Sequence, residues 1–280
     1  MSAPGTTAFT VACVQTEPVL GDIEANIHLT VAGLTEAAAA GARLAVLPEA
    51  ASSGYMFRNT AEAAAGSQSV HGGPTIRAWA QMARDSGMWV CGGFVENDGG
   101  TLYNSAALIG PDGVAAVYRK VHLWGWEKSL YAPGNLGFPV TATPFGRIGM
   151  GICYDAWFPE TFRSSALAGA DVVCLPSNWV PVPGQPGGLL MAHMMSMTGA
   201  NSNELYVLAC SRSETERGQE FLGSSVVTDP GGWLVAGPAP REGAAVITAT
   251  IDPAAARAAR LAAPFNQPVA DRRPEVYRTR

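Results

Sequence analysis

Charged residues are scarce in this chain, and the sequence has no basic stripe. Asp, Glu, Lys and Arg make up 15% of the 280 residues, and the formal net charge is −5. This composition argues against a nucleic-acid partner. Because no segment approaches about 20 uninterrupted apolar residues, we expect no membrane span. The segment 1–10 lacks a basic flank and a long apolar run, so we expect no signal peptide.

Metal-binding patterns are also missing. The four histidines are isolated, and no Cys-x-x-Cys pair occurs among the five cysteines. We therefore predict no metal site. An odd number of widely spaced cysteines suits a reducing compartment, so we expect a cytoplasmic protein. What the sequence does have is 48% hydrophobic residues, enough for one large α/β domain spanning residues 1–280.

One cysteine differs from the other four in its surroundings. The four lie in apolar, strand-like runs and are expected to be small buried hydrophobic residues: Cys13, Cys91, Cys174 and Cys210. Cys153 instead follows the apolar segment 147–152, and turn residues separate it from a helix that Pro159 can open. The positive end of that helix would favour the nucleophilic thiolate. Cys153 is therefore a candidate nucleophile.

Strands and helices alternate along most of the chain. Hydrophobic runs predict strands at 9–15, 44–47, 88–95, 101–109, 114–118, 147–152, 172–175, 205–210, 224–228, 232–236 and 244–251. Helical periodicity predicts helices at 26–40, 74–86, 159–168, 188–203 and 253–261. The strands between 88 and 118 form hairpins, which indicates a mixed sheet or two sheets. The strand–helix pattern on both sides of these hairpins suggests two similar halves packed face to face.

A catalytic thiol needs a base, and its tetrahedral intermediate needs positive charge near the oxyanion. Glu49 directly follows an apolar strand, at the sheet edge where active sites of α/β folds usually lie. Lys120 ends a hairpin strand, and Glu127 follows it closely. Taken singly, each of these residues is more often a solvated charge at a strand end. Only their combination with Cys153 indicates a site.

In this chain order the four residues resemble the nitrilase superfamily of carbon–nitrogen hydrolases. The motifs that carry the resemblance are Leu47-Pro48-Glu49, Arg119-Lys120-Val121-His122-Leu123, Gly151-Ile152-Cys153-Tyr154-Asp155, Leu175-Pro176-Ser177-Asn178-Trp179 and Phe221-Leu222-Gly223-Ser224-Ser225. The resemblance itself runs from about Phe9 to Tyr277, nearly the whole chain. The resemblance implies a four-layer α–β–β–α sandwich of two mixed sheets and no metal or cofactor. It also implies a homodimer or larger homo-oligomer, with the tail 263–280 as an arm that reaches a neighbouring subunit.

The same resemblance implies roles for individual residues. Glu49 would be the base, Cys153 the nucleophile, and Lys120 with the backbone N–H of Tyr154 the oxyanion donors. Glu127 would hold Lys120 and position the substrate. The candidate substrate-binding residues, carried over by position, are Tyr55, Trp126, Asn178 and Trp179. Burial and a second glutamate would raise the pKa of Glu49 while Lys120 would lower it, and the sequence alone does not decide between them.

The substrate class follows from the residues after the cysteine. True nitrilases of the superfamily usually have Trp-Glu there, whereas this chain has Tyr154-Asp155, which favours an amide over a nitrile. We expect hydrolysis of small carboxylic amides to acid and ammonia through a cysteine thioester. An N-carbamoyl amine or amino-acid amidohydrolase is the alternative, and a nitrilase a lesser one. A catalytically silent binding protein is a remote alternative, because such a protein need not keep all four residues.

The surroundings of the candidate site give three further expectations. The Pro-rich segment 180–188 is expected to be a rigid loop at the mouth of the pocket, where it would tune substrate choice. His122 and His193 are expected to be hydrogen-bonded structural residues, since Glu49 fills the role of base better. An N-carbamoyl amino acid would need a cation for its carboxylate, and the pocket motifs show no clear candidate.

Overall fold

Two six-stranded sheets and seven α-helices make up the protein, which we describe from a computed structural model covering residues 7–185, 188–262 and 265–277. The strands are β1 (Phe9–Gln15), β2 (Ala42–Val46), β3 (Trp89–Asp98), β4 (Thr101–Gly110), β5 (Gly113–Arg119), β6 (Val140–Thr143), β7 (Gly146–Met150), β8 (Val172–Ser177), β9 (Tyr206–Ser211), β10 (Ser213–Glu216), β11 (Gln219–Leu222), β12 (Val226–Thr228), β13 (Leu234–Ala236) and β14 (Ala245–Ile251). The helices are α1 (Ile23–Ala39), α2 (Thr60–Ala65), α3 (Pro74–Ser86), α4 (Glu127–Leu130), α5 (Pro159–Leu167), α6 (Met191–Asn203) and α7 (Pro253–Ala262).

Each sheet has a parallel centre and antiparallel edges. The first has the order β14-β1-β2-β3-β4-β5, in which β1, β2 and β3 are parallel. The second has the order β13-β12-β9-β8-β7-β6, in which β7, β8 and β9 are parallel. Strands β10 and β11 form a separate hairpin. The carboxyl ends of the parallel strands form the edges at which an α/β site is expected.

The sheets stack face to face, and helices cover their outer faces. The core between the sheets contains small and medium side chains, among them Cys13, Cys91, Cys174 and Cys210, all with no exposed surface. Residues of α1 and α3 pack on the first sheet, and residues of α5 and α6 pack on the second. This is the predicted four-layer α–β–β–α sandwich, and both that prediction and the burial of the four cysteines are confirmed.

Helix α3 shows how the sequence sets one of these outer layers. Pro74 stands at its start, where a missing backbone N–H costs nothing, and Gly87 ends it with φ +70°. Its buried face includes Trp79, which has no exposed surface and whose indole N–H donates to Thr30 of α1 at 3.0 Å. Burying one such side chain stabilises the fold by roughly 1.5–3 kcal/mol.

The predicted element bounds agree best for long, periodic segments. Strand β1 and helix α3 have the predicted ends. The predicted helix 188–203 begins at Met191 instead. The sequence missed α2, β6 and the β10–β11 hairpin, because these elements have only four to six residues and show too little periodicity.

Part of the predicted arm and loop lies outside the described residues. These are 263, 264 and 278–280 of the arm and 186 and 187 of the loop. Within the described part of the arm, the Pro268 carbonyl accepts a hydrogen bond from Arg163 of α5 at 3.3 Å. Its packing on a second subunit stays a prediction. No helix within the described ranges is both long and apolar enough to cross a membrane.

Gly93 of β3 lies against the segment that carries Glu49. Its backbone N–H donates to the Pro48 carbonyl at 3.1 Å. A Cβ at this position would lie 2.6 Å from the Glu49 Cα, the Ala50 nitrogen and the Pro48 oxygen. Since all three are backbone atoms, a side chain here forces the Glu49 segment away from the sheet.

We expect Gly93→Ala to lower the free energy of unfolding by about 1–3 kcal/mol, as overpacking does, and to reduce activity by displacing Glu49. The matched control is Gly99→Ala in the β3–β4 turn. Gly99 has φ +59° and open space around its Cα, so alanine there costs about 1 kcal/mol and leaves activity unchanged. Urea unfolding and turnover check both variants, and full activity in Gly93→Ala would contradict the expectation.

Candidate active site

The four predicted catalytic residues converge where the two sheets meet. Glu49 follows β2, Lys120 follows β5, and Glu127 begins α4, so three of them belong to the half of the chain that builds the first sheet. Cys153 follows β7 of the second sheet. The Glu49 segment contacts the other sheet directly, because the Glu49 N–H points to the Ser177 carbonyl of β8 at 3.4 Å.

Lys120 is a buried ammonium group held between two carboxylates. Its Nζ lies 2.7 Å from Glu49 Oε1 and 2.9 Å from Glu127 Oε1. All three side chains have essentially no exposed surface. Buried charges of this kind are stable only when they are paired and hydrogen-bonded.

Neutral donors complete this cluster. Asn104 Nδ2 of β4 donates to Glu49 Oε1 at 2.7 Å and to Glu127 Oε1 at 2.8 Å. The Tyr55 hydroxyl donates to Glu127 Oε1 at 2.8 Å, and the Trp124 N–H donates to Glu127 Oε2 at 2.7 Å. Among the described residues, the second oxygen of Glu49 is buried with no hydrogen-bond partner. Glu127 is therefore fixed on both oxygens, whereas Glu49 keeps one oxygen available for a proton.

This difference separates the two carboxyl groups in acidity. Burial, reinforced by the Glu127 carboxylate, raises the pKa of Glu49 to about 7 although Lys120 opposes the shift. Burial acts against ionised Glu127 too, but Lys120 and the donors from Trp124 and Tyr55 hold the pKa of Glu127 below its usual range. Burial likewise opposes the charge on Lys120, yet both carboxylates raise the pKa of Lys120. Glu49 is thus the member of the cluster that exchanges a proton near neutral pH.

Cys153 occupies a strained turn. It has φ +46°, in the left-handed region, and begins a 3₁₀ turn over Cys153–Trp157. Burial, together with the charge of Glu49, raises the pKa of the Cys153 thiol well above its usual value. The prediction that a helix end favours the thiolate is wrong here, because α5 begins only at Pro159 and burial dominates. The resting sulfur is a thiol that needs a base.

Cys153 opens into a cavity of about 200 Å³. The residues that line it are Tyr55, Trp124, Cys153, Tyr154, Trp157, Asn178, Trp179, Val180, Pro181, Val182 and Pro183. Of the predicted substrate-binding residues, Tyr55, Asn178 and Trp179 are therefore brought to the cavity. Trp126 is not in its lining; it packs edge-on against Tyr55 and Trp124 at ring-centroid distances of 5.6 and 4.8 Å.

Asn178, which lines the cavity at Cys153, is unusual in its hydrogen bonding. It is 3% exposed, and neither its side-chain oxygen nor its nitrogen has a hydrogen-bond partner among the described residues. Its backbone N–H contacts the Cys153 sulfur and acts to lower the pKa of the thiol. An unsatisfied buried carboxamide beside the nucleophile is a group that a polar ligand can satisfy.

Several residues of the site were missed from the sequence. Asn104 carries a signal in retrospect, because it is a single amide in the apolar strand β4. Trp124 lies in the same short segment as Trp126, and only the turn geometry decides which of them faces the cavity. Trp157 also went unnoticed. No group of three or more metal-ligating side chains occurs within the part of the chain that the structure describes.

The two histidines near the site are hydrogen-bonded, as expected. His193 has 1% exposure, accepts from the Leu190 N–H at 3.2 Å through Nδ1 and lies 2.8 Å from the Ser224 carbonyl through Nε2. Burial lowers the pKa of His193 despite that carbonyl, so the ring is neutral. His122 Nδ1 lies 2.8 Å from an Asp155 carboxylate oxygen. Neither ring lines the cavity at Cys153.

Comparisons with known proteins agree with this geometry. Residues 10–261 match the family model described as carbon-nitrogen hydrolase. A nitrilase of Pyrococcus abyssi is 37% identical over 220 residues, covering 79% of this chain and 81% of the relative. A citrullinase of Francisella tularensis is 33% identical over 256 residues, covering 87% and 88%. The crystal structure of an amidase from Nesterenkonia sp. superposes with a TM-score of 0.78 at 23% identity, covering 98% and 96%.

The fold and these matches define an enzyme class that hydrolyses carbon–nitrogen bonds. The chain belongs to the carbon–nitrogen hydrolase family, the nitrilase superfamily, so the predicted membership is confirmed. The Nesterenkonia structure, at its lower identity, supports the fold alone.

We expect Lys120→Met to destabilise the protein by about 3–5 kcal/mol, because it leaves two buried carboxylates without their cation. The loss should depend on pH. Without Lys120 the pKa values of both carboxyls rise in the folded state, so stability is lost as pH increases through them and recovered when they are protonated. Urea unfolding at about pH 8 and pH 5 measures this, with a smaller loss expected at the lower pH. The exposed Lys128→Met is the control, and an equal loss at both pH values would contradict the assignment.

Proposed function

We propose that this protein is an amidase that converts small carboxylic amides to acid and ammonia through a thioester at Cys153. The observation that carries the proposal is the buried Glu49–Lys120–Glu127 cluster beside a thiol that opens into a cavity. The cluster holds a base with a pKa of about 7 and a permanent cation, the two groups that a protonated thiol needs to attack a carbonyl. Because burying these charges costs stability, a catalytically silent protein would not be expected to keep the cluster.

In the first half-reaction, the free oxygen of Glu49 takes the thiol proton as the Cys153 sulfur bonds to the amide carbon. Lys120 and the backbone N–H of Tyr154 would stabilise the oxyanion, each donor being worth about 3–4 kcal/mol. The carbon–nitrogen bond then breaks, and Glu49 returns the proton to the departing nitrogen, which leaves as ammonia.

In the second half-reaction, Glu49 takes a proton from water as the water oxygen bonds to the thioester carbon. The carbon–sulfur bond breaks, the acid leaves, and Cys153 recovers its proton. One carboxyl thus serves both half-reactions, as base and then acid each time. Glu127, fixed by Tyr55 and Trp124, keeps Lys120 in place throughout.

The cavity lining favours a neutral acyl group. Within the described residues, no acidic or basic residue of the Asp, Glu, Lys, Arg or His type lines the cavity. Five of the eleven lining residues are aromatic, and they are Tyr55, Trp124, Tyr154, Trp157 and Trp179. A charged group would be desolvated here without a partner, which is strongly unfavourable. A neutral aliphatic or aromatic acyl chain suits the lining.

The same chemistry could act on a carbamoyl group, and the citrullinase relative keeps that alternative open. An N-carbamoyl amino acid brings a carboxylate, for which the described lining offers no cation. A nitrile substrate is the lesser alternative, to which the nitrilase of Pyrococcus abyssi points. A cytoplasmic homodimer or larger homo-oligomer remains a prediction.

A screen for ammonia release tests the proposal. We expect turnover of neutral amides such as propionamide, benzamide and phenylacetamide, weaker turnover of N-carbamoyl amino acids, and none of benzonitrile. An acyl adduct on Cys153, seen by intact mass, identifies the intermediate.

The control for the screen is a pair of matched variants. Cys153→Ala should abolish turnover, whereas Cys210→Ala removes a buried core thiol and should retain it. If turnover survives in Cys153→Ala, or if no amide is hydrolysed, the proposal fails. Faster turnover of carbamoyl compounds would support the alternative.

The pH profile tests the role of Glu49. Because the base must be deprotonated, we expect kcat/KM to fall about tenfold per pH unit below a midpoint near pH 7. Glu49→Gln should lose activity and not merely shift the profile. A profile that stays flat down to the ordinary pKa of a glutamate would remove Glu49 from the role of base.

A further inference from the structure

Asp155 is a fully buried carboxylate that does not line the cavity at Cys153. Four donors converge on it. Its Oδ2 accepts from the Ile152 N–H at 2.8 Å and the Tyr118 hydroxyl at 2.7 Å. Its Oδ1 accepts from the His122 N–H at 3.0 Å and lies 2.8 Å from His122 Nδ1. No direct contact with substrate follows from this position.

These donors come from two places in the chain that matter for the reaction. Ile152 directly precedes the nucleophile, at the end of the second sheet. Tyr118 and His122 flank Lys120, at the end of the first sheet. One carboxylate therefore joins the turn that carries the sulfur to the turn that carries the oxyanion cation.

We propose that Asp155 is a positioning residue that sets the distance between Cys153 and Lys120. This inference rests on the proposed function, since it concerns the residues of that reaction. Cys153 needs such support because its φ of +46° is unfavourable for a side-chain-bearing residue. The hydrogen bond from the Ile152 N–H anchors the backbone immediately before that strained residue.

His122 is locked by the same arrangement. Its ring stacks on Phe158 with centroids 3.6 Å apart and planes 5° apart, while Nδ1 faces Asp155. Because a carboxylate accepts hydrogen bonds, the Nδ1 atom carries a proton. The Tyr118 hydroxyl is used twice, since it donates to Asp155 and accepts from the Val121 N–H at 3.2 Å. The connection between the two turns is thus built from fixed donors on both sides.

Replacement of Asp155 by asparagine breaks this arrangement in a definite way. The tyrosine hydroxyl and the imidazole can reverse their hydrogen-bond roles to face an amide NH₂ group, but a backbone N–H cannot. Whichever way the amide is oriented, the N–H of Ile152 or of His122 loses its acceptor. The connection between the turn at Cys153 and the turn after Lys120 then loses one of its four hydrogen bonds and contains an unsatisfied backbone N–H.

The experiment compares Asp155→Asn with Asp171→Asn. Asp171 is also a buried carboxylate that accepts a backbone N–H, from Arg147 at 2.8 Å, but it lies at the opposite end of β7 and β8 from Cys153. We expect both variants to lose stability. We expect only Asp155→Asn to lose kcat, by about 10- to 100-fold, with KM within about threefold of the wild type.

A second measurement makes the test independent of amide turnover. We expect iodoacetamide to alkylate Cys153 at least about fivefold more slowly in Asp155→Asn, because the thiol is displaced from Glu49, and at the wild-type rate in Asp171→Asn. Site-specific mass spectrometry gives these rates. If the wild type hydrolyses no amide but the alkylation rates differ in this way, the proposed function fails and the positioning role stands.

Tyr118→Phe covers the case in which Asp155→Asn does not fold. It removes one of the four donors and leaves the carboxylate in place, so a smaller loss of kcat, about three- to tenfold, is expected. Wild-type kcat and alkylation rates in both Asp155→Asn and Tyr118→Phe would overturn the proposal. So would equal losses in Asp155→Asn and Asp171→Asn.

Discussion

The Lys120 ammonium is the group on which the organisation of this site depends. Its side chain has no exposed surface, and the carboxylates of Glu49 and Glu127 balance its positive charge. One cation cannot fully stabilise two buried anions, so one carboxyl gains by holding a proton. Glu127 receives donors on both oxygens and stays ionised, which leaves Glu49 to share the proton. The excess of carboxylates over cations in the cluster therefore explains why the pKa of Glu49 is raised to about 7, which suits the base that the proposed reaction needs.

The raised pKa of Cys153 fits this distribution of charge. A resting thiolate would add a third negative charge beside a cluster that already has more carboxylates than cations, and Glu49 does act to raise the pKa of the thiol. In the proposed reaction, proton transfer during attack avoids this accumulation, because the negative charge would move from Glu49 through sulfur to an oxyanion next to Lys120. Burial thus favours a neutral thiol that a general base would have to activate, whereas a thiolate stabilised by a helix end would need an open, electropositive site.

The sequence predicted what depends on local patterns. Strand β1 and helix α3 have clear periodicity, and the motifs around Glu49, Lys120 and Cys153 each follow a strand whose end is visible in the sequence. Features that depend on distant contacts were not predictable. Asn104 reaches Glu49 and Glu127 from another strand.

Two predictions were wrong because local turn geometry, like distant contacts, cannot be read from the sequence. Trp124 and Trp126 are two residues apart, and a turn whose geometry the sequence does not fix decides which one enters the cavity. The prediction of a thiolate at Cys153 was also wrong. A strand followed by a helix was visible, but the 3₁₀ turn between them, which separates Cys153 from the start of α5, was not. In both cases the sequence pattern predicted which segment contributes to the site, but it did not predict the surroundings of the individual side chains.

The proposed preference for neutral amides rests on a contrast between the two sides of Cys153. Behind the sulfur lie three ionised or ionisable side chains, and in front of it the described lining is aromatic and aliphatic. A charged substrate group of either sign would lose its water in a lining that offers it no counter-charge. The Val180–Pro183 segment could supply a counter-charge by substitution, since it lines the cavity outside the strands that hold the cluster. Specificity can therefore change in that loop while the charge balance around Lys120 stays the same.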